Sequence, residues 1–504
     1  MTATAAGGDR PAEDYRGTEK LLWGSVLGLL TFWLFAGSLG AVARRVLSDL
    51  NGPYTDAATK TWANPVLTVN QMNLAVAVTA LFSGLFIVLM GSIADRVGRV
   101  RMALVGNVLG VVGSLLVLLA AGKVALPLML VGRAVQGLSG ACIMPSTLAL
   151  VKAYWDGPAR QRAVSMWSIG TFGGSSMAAL FGGFLATNLG WHYIFWASII
   201  ASALSFVMIW GTPESKAEQT ATTRFDIVGL LVFMITVLCF MVYVVFGKQL
   251  GWASATGLGL AVTSLVGLGI FLWWEKDREH PFMNFTLFRN ITFTGAVLSN
   301  FAVNMTIGML IVSQQMLQLA RPERFDAWHA GLLTLGFAIA VISCIRIGEK
   351  LLQRFGPRKP MMWGAMILGL CALLLMQTQV LVGTYVVLAV IAYVLFGLGL
   401  AFYATPSTDA ALSNLPPAQS GAGAGIYKMA SSLGAAIGAA ASLAIFTGVM
   451  GSGFTTGWIF EMQGIQSNAR VRTAGMLTMG FNLLLTLLAL LSVALTVPKG
   501  RKEG

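Results

Sequence analysis

Residues 91–101 read GSIADRVGRVR, one carboxylate and three arginines (Asp95, Arg96, Arg99, Arg101) set among glycines and flanked by long apolar runs. The 504-residue chain is 11% charged and 56% hydrophobic. A soluble domain carries about a quarter charged residues, so this deficit excludes an ordinary water-soluble fold. About 20 residues cross a bilayer core, and the runs at 21–42, 74–94 and 476–497 are long enough to do so. Comparable runs recur about fourteen times along the chain. The composition therefore predicts an all-α polytopic membrane protein, with GSIADRVGRVR in the gap between the second and third spans.

The net charge of +13 would suit a nucleic-acid binder, but its distribution suits a membrane protein. With the N-terminus placed inside, 23 of the 33 Lys and Arg fall in inner gaps, tails and inner helix ends. Nine fall outside, and Arg133 lies within a span. Basic residues flank spans on the cytoplasmic side, so the excess reports topology: both termini cytoplasmic, a multi-pass plasma-membrane protein, and no nucleic-acid partner. The first 20 residues are polar, and the run after them exceeds a signal sequence's apolar core, so it is expected to be a retained first span. The four cysteines, Cys142, Cys239, Cys344 and Cys371, all sit in apolar runs without metal-ligand spacing.

The chain also repeats itself. GLSGACIMPSTLAL (137–150) and GLGLAFYATPSTDAAL (397–412) share a Pro-Ser-Thr triplet, at Pro145 and Pro406. Arg96-Val97-Gly98 has an echo in Arg354-Phe355-Gly356, and SMWSIGTFGGSSMAALFGG (165–183) has one in YKMASSLGAAIGAA (427–440). Three matches in one order at nearly one offset favour a duplication, although glycine-rich packing can recur in any bundle. The expected organisation is a cytoplasmic tail (1–20), a six-helix half (21–212), a linker with two inserted helices (213–275), a second six-helix half (276–497) and a cytoplasmic tail (498–504).

At its cytoplasmic address, GSIADRVGRVR resembles the signature loop of the major facilitator superfamily, through Gly91, Asp95, Arg96, Gly98 and Arg99. Arg133 and Gln136-Gly137 resemble that family's fourth-helix motif. Gly173, Gly174, Gly182 and Gly183 resemble its antiporter motif and are expected to be helix-packing glycines. Two helices between the halves point to the fourteen-helix drug:proton antiporter branch. "LLTFWLF" (30–36), "ITFTGAVLSNF" (291–301), "IRIGEKLLQRFG" (345–356) and "GIYKMASSLG" (425–434) look like NorB/NorC-type quinolone and multidrug efflux pumps. The resemblance implies the major facilitator fold and proton-driven efflux of small amphipathic substrates, with the proton gradient as energy source and no cofactor. Two departures stand out. Ala178-Ala179 replace the motif's usual Gly-Pro, and the first helix lacks an aspartate, with Arg44-Arg45 at its outer end.

No nucleotide-binding or hydrolase signature occurs, and His192, His280 and His329 are scattered, so neither an enzyme nor a metal centre is expected. A charge at mid-membrane needs a partner or a cavity, which leaves Arg133 either coordinating an anionic group or bonding backbone carbonyls. None of the 20 Asp and Glu falls mid-span, so neutral, zwitterionic or anionic amphiphiles are favoured over permanent cations. Asp409 and Asp95 are the proton-coupling candidates. Asp95 and Lys428, with Asp409, are read as a cytoplasmic gate between the halves. Arg133, Gln136, Trp33, Trp167, Asn300, Asn304, Gln314 and Tyr403 are expected to line the substrate cavity. A monomer in the lipid bilayer is expected. The open alternatives are a dedicated exporter of an endogenous lipid or secondary metabolite, and a transport-inactive scaffold or sensor.

Overall fold

A computed structural model describes residues 15–52, 65–216, 226–276, 278, 285–320, 327–413, 415–416, 419–455 and 468–499. Among these residues there is helix and no strand, as a bilayer demands of a chain that must satisfy its backbone internally. The first six rods are α1 (Glu19–Asn51), α2 (Val69–Val97), α3 (Arg99–Leu118), α4 (Ala125–Tyr154), a composite fifth, and α7 (His192–Ile209). The fifth consists of α5 (Gly157–Ser168), a π turn (Ile169–Gly173) and α6 (Gly174–Asn188). The inserted pair is α8 (Ile227–Leu250) and α9 (Ala255–Glu275). The last six rods are α10 (Ile291–Met305) with α11 (Ile307–Ala320), α12 (Ala327–Phe355), α13 (Arg358–Leu375), α14 (Val382–Ser413), α15 (Ser420–Ser452) and α16 (Ala469–Thr496).

Every one of the fourteen expected spans is thus helical. Among the described residues, twelve helices are long and apolar enough to cross a membrane; the bent fifth rod makes thirteen, and α8 offers the shorter apolar stretch Val228–Val244. Local chemistry starts several of them. Thr68 accepts from Gln71 N while the Gln71 side chain accepts from Thr68 N, a capping box that opens α2. Asp226 and Ser254 cap the two inserted helices in the same spirit.

Packing follows the repeat. In the first group α2 and α3 both lie against α4, and in the second α12 and α13 both lie against α14. Between the groups, α2 and α4 meet α15, while α12 and α14 meet α5. Each half therefore offers its second and fourth helices to the other's fifth. The inserted α8 rests on α2 and α15, and α9 rests on α8. In its most apolar window α9 is 17% buried, against 83% for α4, so α4 is a core element and α9 a lipid-facing one.

The fifth rod bends by 49° between Gly157–Ala178 and Leu180–Asn188. Without the motif's proline, the bend falls in a run rich in small residues beyond the π turn. Gly182 is in close contact: a methyl group there would lie 2.4 Å from Ser38 Cβ. Ser38 meanwhile donates to Ala178 O at 2.7 Å. Gly174 packs on Trp33 and Gly173 on Ile342 of the other half. Gly183 departs from the expectation, since a methyl there would meet nothing within 4 Å. Most of the segment between α1 and α2 (53–64) lies outside the described residues, as do residues 1–14 and 500–504 of the tails.

Candidate functional site

The signature loop is a single residue long. Gly98 alone separates α2 from α3, at φ +131°, a conformation that a side chain makes costly. The turn brings Arg99 back over the end of α2. Arg99 Nη2 and Nε donate to Asp95 Oδ1 at 2.8 and 2.9 Å, and Nη1 donates to Ser215 Oγ at 3.0 Å. Topology alone would leave this arginine in water, yet it is 3% exposed. Glu214, unremarked in the sequence, accepts from the first amides of α3, Val100 N and Arg101 N, at 2.9 and 3.1 Å. A carboxylate on free helix amides satisfies donors and the helix dipole together.

Asp95 has a second set of partners across the interface. Gly421 N and Ala422 N, at the start of α15, donate to Oδ1 and Oδ2 at 3.0 Å each. The helices can come this close because a Cβ on Gly91 would lie 2.5 Å from Gly421 O. Two more contacts join the halves at the same face. Lys152 donates to Leu415 O, and Arg160 Nε meets Asp409 Oδ1 at 3.3 Å. The hydrogen-bonded contacts between halves traced among the described residues all lie at this signature-loop face.

Lys428 corrects one expectation. It lies on α15, two turns beyond the amides that hold Asp95, and does not pair with Asp95. Its ammonium sits 5.1 Å from the Trp167 ring and 5.4 Å from the Phe172 ring, both on the fifth rod of the other half. Trp167 is fixed by donating its indole N–H to Thr147 Oγ1 at 3.0 Å.

Five of the remaining residues expected in the cavity, Arg133, Gln136, Asn300, Asn304 and Tyr403, belong to two buried knots, one in each half. Arg133 donates to Phe35 O at 2.6 Å, Ala75 O at 3.1 Å and Gln136 Oε1 at 2.8 Å. Gln136 Nε2 then donates to Ser114 Oγ at 3.1 Å. This guanidinium ties α1, α2 and α4 together through carbonyls, and its Nη2 has no partner among the described residues. In the second half Asn300 Nδ2 donates to Tyr427 O and Ser431 Oγ at 3.0 and 2.7 Å, and Asn304 Nδ2 donates back to Asn300. Hydroxyls continue from there: Tyr427 donates to Ser407, Ser407 to Tyr403, and Tyr403 meets Ser299 at 2.6 Å. Both knots can stiffen a half so that it moves as one body. Trp33 is half-buried beside Gly174, and Gln314 is half-buried on α11 within the second half. Of the expected cavity residues, Trp167 is thus the one whose described contacts reach across to the other half.

Among the described residues no group of three or more His, Cys, Asp or Glu could hold a metal ion. His192 stacks on Trp191, with ring centroids 3.8 Å apart, while His280 and the side chain of His329 lie outside the described residues.

Comparison with known proteins places this architecture. The family model described as Major Facilitator Superfamily matches residues 21–439. The quinolone resistance protein NorB of Staphylococcus aureus strain MRSA252 is 40% identical over 489 residues, 97% of each chain. NorB of strain RF122 is 40% identical over 491 residues, again 97% of each. Among solved structures, the proton:xylose symporter XylE aligns with a TM-score of 0.63 at 14% identity, over 95% of this chain and 96% of that one. The human organic anion transporter MFSD10 aligns at 0.60 and 14% identity, over 95% of this chain and all of that one. These two share the fold. With a matching family model over most of its length and relatives covered end to end, the chain belongs to the major facilitator superfamily of membrane transporters.

Proposed function

We propose that this protein is a secondary active exporter that carries quinolone-like and other amphipathic drugs out across the plasma membrane in exchange for protons. The observation that carries the mechanism is the latched interface: two six-helix halves joined by Asp95, Lys152 and the Arg160–Asp409 pair at one face. The basic residues gathered at that face suit the cytoplasmic side, so in this reading the latch closes the side from which substrate loads. Rocking of the halves about a midplane cavity then gives alternating access. The NorB relatives are named for quinolone resistance, which supports the substrate class.

Asp95 and Asp409 are the proton-coupling groups in this reading. Each is held by an arginine while the latch is shut, and each loses its cross-half partners when the latch opens. A carboxylate that exchanges a helix N-terminus or an arginine for water changes its proton affinity, which ties protonation to conformation. In this reading the proton gradient supplies the energy and no cofactor takes part.

The test is uptake of norfloxacin, a fluorescent quinolone, into inverted vesicles. Acidifying the lumen should drive uptake, and a protonophore should abolish it. Uptake indifferent to the gradient would overturn proton antiport. No uptake of any amphipathic drug, with transport of an endogenous lipid or metabolite instead, would replace the multidrug reading with that of a dedicated exporter. Absence of flux altogether would point to a scaffold or sensor.

A further inference from the structure

We infer that Lys428, with Trp167 and Phe172, is a substrate-loading subsite for the carboxylate of an aromatic amphiphile. This rests on the exporter reading and names the side chain that would select among its substrates.

Lys428 is 3% exposed, and among the described residues its ammonium meets no carboxylate and donates no hydrogen bond. The two nearby carboxylates on the closed face are already taken, Asp95 by Arg99 and Asp409 by Arg160. Among the described residues, two ring faces are the contacts that offset its dehydration, and cation–π attraction recovers only part of what a buried charge loses. An apolar side chain would fill the same space and stack on the same rings without that loss. Packing therefore has no use for the charge.

The placement of the three groups supplies a use. The ammonium stands on α15 of the second half, and both rings stand on the fifth rod of the first. Separating the halves at the signature-loop face breaks this contact and uncovers a cation and two aromatic faces together, toward the side from which an exporter loads. A ligand with a carboxylate on a flat ring system matches both features: its charge replaces the rings as the lysine's partner, and its own rings lie on Trp167 and Phe172. When the halves close behind a departed substrate, the lysine returns to the rings.

The decisive experiment measures equilibrium binding to purified full-length protein, using norfloxacin and its methyl ester, alongside flux of both and of ethidium in proteoliposomes. Lys428→Met should weaken norfloxacin binding about tenfold or more, the effect of losing one charge-assisted contact. It should leave the ester and ethidium within about twofold, and Lys428→Arg should retain most of the norfloxacin affinity. Equal losses for all three ligands would make Lys428 a structural residue and overturn the proposal. So would unchanged norfloxacin binding in Lys428→Met. Binding that depends on Lys428 in a protein that shows no gradient-driven flux would uphold the subsite while refuting the exporter reading.

Discussion

The two halves carry the same joint between their second and third helices, and they use it differently. In the first, GSIADRVGRVR turns on Gly98; in the second, EKLLQRFGPRK (349–359) turns on Gly356, also at positive φ. Aligning Arg96 with Arg354 sets Gln353 opposite Asp95 and Glu349 opposite Gly91. Asp95 is buried and reaches across to α15, whereas Gln353 is exposed and donates to Glu349 on its own helix at 3.3 Å. Glu349 pairs with Arg346 of the same helix at 2.8 Å, and Arg358 donates to Ala494 O within its own half. One joint became a latch between bodies and the other remained a fastening within one. A duplicated loop needs two changes to cross the interface: a small residue where the backbones touch, and an anion where helix amides are waiting.

Gly91→Val should break the comparison most completely. A side chain there meets the Gly421 carbonyl, which cannot move aside, and overpacking of this kind costs about 3 kcal/mol. At about 1.4 kcal/mol per decade, vesicle flux should drop roughly a hundredfold, and a cysteine placed at the buried Ser420 should become open to labelling. Asp95→Asn should come next. It removes the ion pair with Arg99 and weakens both bonds to α15, worth about 2 kcal/mol, or roughly thirtyfold in latch closure by the same labelling assay. Glu349→Gln should matter least, changing flux by less than about twofold, because a partly exposed pair within one helix contributes little. Equal damage from Glu349→Gln and Asp95→Asn would show that the two joints are functionally equivalent, contrary to their geometry.

Much of the fold was legible because a bilayer makes hydropathy speak directly: apolar length gives the helices that span it. The duplication was legible too, since Pro145 and Pro406 both lie inside helices that occupy matching places. The site was less so. Arg133 left two readings open, and carbonyls settled its contacts; which carbonyls lie within reach is decided by how α1 and α2 pack, and no side-chain pattern encodes that. Glu214 was missed because a lone glutamate after the sixth span looks like any solvated loop residue, and its value depends on where the amides of α3 point. Lys428 was noticed for its charge and given the wrong neighbour. Its spacing from the start of α15 could have warned against this, since two turns of helix carry a side chain about 11 Å along the axis.

The π turn at Ile169–Gly173 has a consequence for that lysine's surroundings. Trp167 and Phe172 are five residues apart, and at 3.6 residues per turn such a pair diverges by about 140° around a helix. Widening one turn to the i→i+5 pattern reduces the divergence to roughly 100° or less, enough for both rings to flank a single ammonium. Here the lining of a binding face is set by helical phase as well as by residue type. Restoring regular α-helical pitch across 169–173 without changing the sequence would keep every side chain that touches Lys428 and still rotate one of its two aromatic walls away.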